Sequence, residues 1–106
     1  MNELCDCAEL LQINVSADYG ADPLWCGVCH LNLDIDAFTL SDSLEHDLFR
    51  WTNRYGEWLD LDTDTLIPAG TELETKHNDE GRFLTKRLQD ELPHYHFDFV
   101  PSADSR

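Results

Sequence analysis

Long apolar runs are absent from this 106-residue sequence. A helix that crosses a bilayer needs about 20 consecutive, mainly apolar residues, and no segment of the chain approaches that length. The first residues, 1–7, also lack the cationic flank and the apolar stretch of a secretory signal peptide. We therefore expect a cytoplasmic protein that does not bind membranes.

Basic residues are scarce. The chain has 7 Lys and Arg against 22 Asp and Glu, which gives a formal net charge of −15. Proteins bind duplex nucleic acid largely through Lys and Arg that neutralise phosphates, and the sequence shows no basic patch. The composition therefore argues against a nucleic-acid-binding module. It leaves two interpretations of the acids, a solvated surface or a docking face for a basic protein.

Catalytic motifs are also missing. The sequence contains no Gly-rich phosphate loop, nucleophile elbow or paired acid–base carboxylate motif. His94 and His96 would project from one face of a strand, which permits a metal or proton-transfer role, but exposed polar positions explain them equally simply. His77 falls on an apolar helix face, where a hydrogen-bonded core histidine is the more common outcome. We do not expect an enzyme; a small metal- or histidine-dependent enzyme stays as the alternative.

Strands are predicted where apolar and polar residues alternate. The predicted strands are 11–17, with Leu11 on the buried face, 24–36, folded back on itself at a turn over 26–29, and 95–99. Turn-forming Asp, Gly and Pro residues at 18–23 should reverse the chain between the first two strands. This pattern favours a hairpin near the N-terminus and a separate strand near the C-terminus.

Two amphipathic helices are predicted between these strands. Apolar residues recur at helical spacing over 44–59 and again over 73–92. Gly56 could cap the first helix and leave 57–60 as a separate turn, or the helix could continue through it. Ser41 or Asp42 can cap the first helix, and Thr71 can cap the second. Two helices packed on one face of a small, largely antiparallel sheet would bury every apolar face, so the predicted fold class is α+β.

The length of the chain suits one hydrophobic core. We expect residues 1–101 to form a single domain and residues 102–106 to form a frayed tail. The predicted core consists of the inward positions of each periodic segment, namely Ile13, Val15, Leu33, Ile35, Leu48, Trp51, Tyr55, Leu84, Leu88, Phe97 and Phe99.

The cysteines form two closely spaced pairs, Cys5-x-Cys7 and Cys26-x-x-Cys29. Four thiolates at tetrahedral positions are the ligands that zinc selects in closed structural sites. Cys26-Gly-Val-Cys29 resembles a zinc knuckle, in which glycine allows a tight turn that aims both sulfurs at the metal. The first pair departs from the zinc-ribbon spacing of two intervening residues, so it would approach the ion in a more extended form. We predict one structural zinc ion, bound by Cys5, Cys7, Cys26 and Cys29, that stabilises the domain.

Three other interpretations of the cysteines remain open. Disulfides would require an oxidising compartment, for which nothing in the sequence argues. A redox-active pair would be expected at a helix N-terminus, whereas Cys26 and Cys29 lie between predicted strands. Unpaired thiols are the third possibility. If zinc is bound, His30 could also replace one cysteine of the first pair.

No motif specifies the function directly. The hypothesis that fits best is a small, acidic, zinc-stabilised protein-interaction module, such as an inhibitor or immunity protein that neutralises a basic enzyme. The densest acidic cluster, Glu57, Asp60, Asp62 and Asp64, surrounds Trp58, so an aromatic anchor with an acidic rim could contact the partner there. Alternatively, Trp58 completes the apolar face of its helix.

Overall fold

The computed structural model describes residues 4–60, 62–63 and 65–102. Its elements, in chain order, are β1 (Gln12–Val15), β2 (Leu24–Cys26), β3 (Asn32–Leu33), a 3-10 turn (Ile35–Ala37), α1 (Asp42–Asn53), β4 (Leu59–Asp60), β5 (Thr65–Leu66), α2 (Gly70–Glu91) and β6 (His96–Phe99). The predicted α+β class is therefore confirmed. Within the described ranges, neither helix contains an apolar stretch long enough to cross a membrane.

The main sheet has the strand order β3-β2-β1-β6. Its ladders between β1 and β2 and between β2 and β3 are antiparallel, as predicted. The ladder between β1 and β6 is parallel, with Ile13 beside Phe97. Parallel neighbours need a long crossover, and here both helices lie in the connection between the two strands. The sheet is therefore mixed, and β1 is a central strand with partners on both sides.

The core lies between the sheet and the two helices. The predicted core residues are buried, except for Tyr55 and Phe99, which pack against the core but stay partly exposed. Leu11 was placed on the buried face incorrectly. It is 56% exposed, whereas Leu10 is buried, because the regular strand begins only at Gln12.

The first helix begins as predicted and the second does not. The Ser41 Oγ accepts a hydrogen bond from the Leu44 backbone N–H at 3.3 Å, so Ser41 is the N-terminal cap of α1. In α2 the cap is Ala69, with a φ of 64°, and the prediction of Thr71 was wrong. The chain reverses just before this start, at Ala69, and Gly70 then lies so close to the preceding segment that a Cβ there would be 2.6 Å from the Trp58 carbonyl oxygen.

A glycine also allows the close contact between α2, α1 and β6. A Cβ on Gly81 would overlap the Phe99 ring and would lie 2.7 Å from Trp51 Cζ2. The Trp51 ring is fully buried, stacks on His77 with centroids 4.6 Å apart, and donates from Nε1 to the His77 carbonyl oxygen at 2.9 Å. The two helices therefore approach each other over a residue that has no side chain.

The chain remains attached to α2 after β6. The Ser102 backbone N–H donates to Asn78 Oδ1 at 2.8 Å, and the Ser102 hydroxyl donates to Glu74 Oε2 at 2.8 Å. Ser102, the first residue of the predicted frayed tail, is thus hydrogen-bonded to α2. Residues 103–106, the rest of that predicted tail, lie outside the described residues.

Candidate metal centre and acidic surface

The four cysteines come together at one end of the sheet. Cys26 is the last residue of β2, Cys29 lies in the turn that follows, and Cys5 and Cys7 precede β1. Their four sulfur atoms all lie within 4.8 Å of one another. The turn is held by two hydrogen bonds, from the Gly27 backbone N–H to the Gln12 carbonyl and from the His30 backbone N–H to the Cys26 carbonyl.

The spacing of the sulfur atoms fits a metal ion. The Cys7 and Cys26 sulfurs are 3.8 Å apart, whereas a disulfide bond is about 2.05 Å long. Zinc–sulfur bonds of about 2.3 Å in a tetrahedron place neighbouring sulfurs about 3.8 Å apart. These four cysteines, which form no disulfide bond, could therefore hold a metal ion without large rearrangement.

The backbone of the turn also supports negative charge on sulfur. The Cys29 backbone N–H points at Cys26 Sγ over 3.5 Å. Burial raises the pKa of Cys26, but hydrogen bonds from the N–H groups of Cys29 and Val28 and from the Cys29 side chain act together in the opposite direction, and the net effect is a lowered pKa. Loss of solvation, followed by the hydrogen bonds of the neighbouring thiols, raises the pKa of Cys7 to about 12. Bound zinc would deprotonate all four thiols.

Two details of the zinc-knuckle prediction are refined by the structure. Gly27 is needed because a Cβ there would lie 2.7 Å from Gln12 Cγ, so the glycine lets β1 pass close to the turn. His30 ends the turn with a φ of 64° and is exposed. It does not belong to the group of possible ligands found among the described residues, which consists of the four cysteines.

The predicted aromatic anchor is not on the surface. Trp58 is 1% exposed, and its ring contacts Tyr55 and His77 at centroid distances of 5.4 and 4.7 Å. The ring is buried because the chain after α1 folds back onto α2, so Trp58 is a core residue and cannot reach a partner in this conformation.

The acids around Trp58 remain accessible. Glu57, Asp60 and Asp62 are exposed, and Asp60 Oδ1 accepts from the Asp62 backbone N–H at 2.9 Å in the β4–β5 hairpin. Asp64, the fourth predicted acid, lies outside the described residues. Partner binding by this cluster stays a prediction.

Several of the few cations are already paired with acids. Ion pairs join Arg54 to Glu80, Arg82 to Asp79, and Arg87 to Asp47. Because these arginines are engaged on α1 and α2, they do not form a basic patch, and the remaining surface charge is strongly negative.

The histidines do not gather at a common centre in the described ranges. His96 Nε2 lies 3.1 Å from Asp98 Oδ1 on the exposed side of β6. His77 is buried, as its position on the apolar helix face predicted. Burial, and then the charge of Arg54, lowers the pKa of His77 to about 4, so the ring is neutral at physiological pH.

Sequence reasoning missed one concave site. A cavity of about 230 Å³ lies between the turn that follows β1 and the C-terminal end of α1, and Asp18, Tyr19, Asp22, Thr52 and Tyr55 contribute to its lining. The turn and the helix end are distant in sequence, and no local pattern links them. The one available signal was the pair of acids that flank Gly20 in a turn.

Comparison with known proteins gives a family match. A search of curated proteins found no significant match. The model of the Serratia CdiI immunity protein-like family matches residues 11–102. That segment runs from the residue before β1 to Ser102, and it includes Cys26 and Cys29 but neither Cys5 nor Cys7. Because the match covers most of the sequence, the chain belongs to the Serratia CdiI immunity protein-like family.

Proposed function

We propose that this protein is an immunity protein that neutralises a toxin by binding it, and that the toxin presents a basic surface. The observation that carries the proposal is the family match over residues 11–102. Neutralisation by binding needs no catalytic motif in the inhibitor, which agrees with the sequence. It also predicts stoichiometric protection, one immunity protein for each toxin molecule.

The charge supports a basic toxin surface. The formal net charge is −15, and three of the seven cations are paired with acids of the same chain. Complementary charge can raise association rates to about 10⁸–10⁹ M⁻¹s⁻¹ at low salt. Fast association matters for an immunity protein, because it must reach the toxin before the toxin reaches its target.

The cysteine cluster has a structural role in this proposal. One zinc ion bound by Cys5, Cys7, Cys26 and Cys29 would fasten the segment before β1 to the turn after β2. Because such a site does not exist in the unfolded chain, the free energy of metal binding becomes free energy of folding. The zinc would therefore stabilise the fold and leave toxin recognition to other surfaces.

We propose that the acidic cluster attracts the toxin electrostatically at long range. This cluster consists of the exposed acids Glu57, Asp60 and Asp62, together with Asp64. The exposure of Glu57, Asp60 and Asp62 supports a role in steering, since exposed charges act mainly on the association rate and are screened by salt.

The proposal is tested by co-expression with candidate toxins, beginning with any basic toxin encoded beside this gene. Protection of the host cell, and a 1:1 complex in light scattering after gel filtration, are the expected results. Stopped-flow association should slow markedly as salt is raised. If the host cells die with every basic candidate toxin, although folded immunity protein is abundant, the proposal is refuted.

A further inference from the structure

The cavity beside the end of α1 has an unusual floor. Thr52 contributes to its lining and is 7% exposed, and the Thr52 Oγ1 atom is buried without a hydrogen-bond partner among the described residues. A helical threonine can satisfy its hydroxyl on the carbonyl four residues earlier, but Thr52 does not do so. A buried unpaired hydroxyl is destabilising, so the Thr52 hydroxyl needs a partner, which can be a water, an ion or a group of a ligand.

The wall of the cavity formed by the turn is negatively charged and fixed in place. Asp22 Oδ2 accepts from the Ile35 backbone N–H at 3.0 Å, and Asp18 Oδ1 accepts from the Tyr19 backbone N–H at 2.8 Å. These bonds orient both carboxylates. No Lys or Arg occurs among the described lining residues, so nothing in the cavity neutralises the two acids.

The rim of the cavity is aromatic. Tyr19 is 54% exposed, and its ring packs edge-on against Tyr55 with centroids 4.8 Å apart. Gly56, with a φ of 88°, makes this position possible, because a Cβ there would overlap the Tyr19 hydroxyl. A large exposed aromatic ring held by its neighbours is typical of residues that dominate binding energy at protein interfaces.

We propose that this cavity receives an arginine side chain of the toxin. The planar guanidinium group would donate hydrogen bonds to the carboxylates of Asp18 and Asp22, and its face would lie against the tyrosine rings. Rotation of the Thr52 side chain towards the cavity would let Thr52 Oγ1, which is buried in the unbound protein, accept a further hydrogen bond. Arginine fits better than lysine, because a planar fork of five donors serves several separate acceptors and stacks on aromatic rings. This inference rests on the proposed function, since the arginine belongs to the toxin.

The cavity is tested first without any toxin. The probe is N-acetyl-argininamide, titrated into ¹⁵N-labelled protein, and the control is N-acetyl-citrullinamide, which has nearly the same shape but no charge. The arginine probe should shift the amide signals of residues 18–22 and 52–55 at millimolar concentration, and the citrulline probe should not. Equal shifts with both probes, or shifts spread over the whole acidic surface, would overturn the proposal.

Matched variants connect the effect to Thr52 and Asp18. Thr52→Val removes the unpaired hydroxyl at nearly constant shape, so it should leave the unfolding midpoint unchanged or raised while it abolishes the localised shifts. Thr52→Ser keeps the hydroxyl and should restore them. Asp18→Asn should weaken the probe, whereas Asp90→Asn, which removes the same charge from an exposed site on α2, should not.

Affinity for the toxin provides the second measurement. Thr52→Val and Asp18→Asn should each raise the Kd by about tenfold or more, and Asp90→Asn should change it less than about threefold. A toxin that binds the wild type and both cavity variants equally well would overturn the arginine site and leave the immunity function intact. If the wild type binds no toxin, the proposed function fails, and the probe titration still decides the cavity.

Discussion

Replacing Gly81 by alanine gives the sharpest test of the helix packing. Glycine in the middle of a helix is about 1 kcal/mol less favourable than alanine, so helix propensity alone predicts that Gly81→Ala stabilises the protein. The structure predicts the opposite, because the new methyl group would overlap Phe99 and lie 2.7 Å from Trp51 Cζ2.

The expected magnitude follows from how little Trp51 can move. Carbon atoms in ordinary contact are about 3.5–4.0 Å apart, so either the ring or α2 must shift by about 1 Å. Trp51 is fully buried, stacked on His77 and hydrogen-bonded to its carbonyl. Overpacking of this kind costs about 1–3 kcal/mol, and we expect the upper part of that range. After the gain in helix propensity, the net loss should be about 1–2 kcal/mol.

The assay is urea unfolding followed by tryptophan fluorescence, with the midpoint and the m-value fitted together. The control is Gly81→Ala in a Phe99→Leu background. The smaller side chain removes the overlap with the ring, so alanine should cost less there than in the wild type. If Gly81→Ala stabilised both the wild type and the Phe99→Leu variant, the close helix contact would be wrong.

Three further predictions concern the metal site, pH and charge. Elemental analysis of protein purified without added metal should give about one zinc per chain, and Cys29→Ser should lower both the zinc content and the melting temperature; a metal-free protein that is fully folded would contradict the zinc site. Stability should fall as the pH drops from about 6.5 to about 4, by on the order of 3 kcal/mol, because His77 protonates more readily in the unfolded chain; His77→Phe should remove this dependence in pH-resolved urea midpoints. The third change replaces Asp60, Asp62 and Asp64 together by asparagine. It should slow toxin association at low salt and leave the urea midpoint nearly unchanged. Equal association rates at low salt would show that this cluster does not attract the toxin.

Local patterns in the sequence were sufficient for the existence of the two helices, the first cap and most of the core. They did not give the end of the first helix, because the apolar spacing over 44–59 continues past Asn53, where α1 ends, into a turn and β4. They also identified the four cysteines that come together, because ligand spacing in a turn is a local property. Leu11 was assigned wrongly because alternation was extended one residue too far. Ile35 was placed in a strand but lies in a 3-10 turn, where it is buried as predicted.

The features that sequence reasoning missed are set by distant contacts. The helix α2 starts at Gly70, where it lies against the backbone of Trp58, a residue 12 positions earlier that local spacing does not bring into view. Trp58 is buried because the chain after α1 folds back onto α2. The sequence spacing that suggested an exposed anchor carried no information about this distant contact. The cavity at Thr52 combines a helix end with a turn some 30 residues earlier along the chain, as the positions of Asp18 and Thr52 show.

The parallel pairing of β1 with β6 has a consequence for synthesis. Gln12 pairs with His96, so the central strand of the sheet lacks one neighbour until almost all of the described chain has left the ribosome. At about 5–20 residues per second, β1 must wait on the order of ten seconds for that neighbour. During that interval it presents an open edge to other chains. The sheet therefore cannot be completed before β6 has been synthesised, and until then β1 has only β2 as a neighbour.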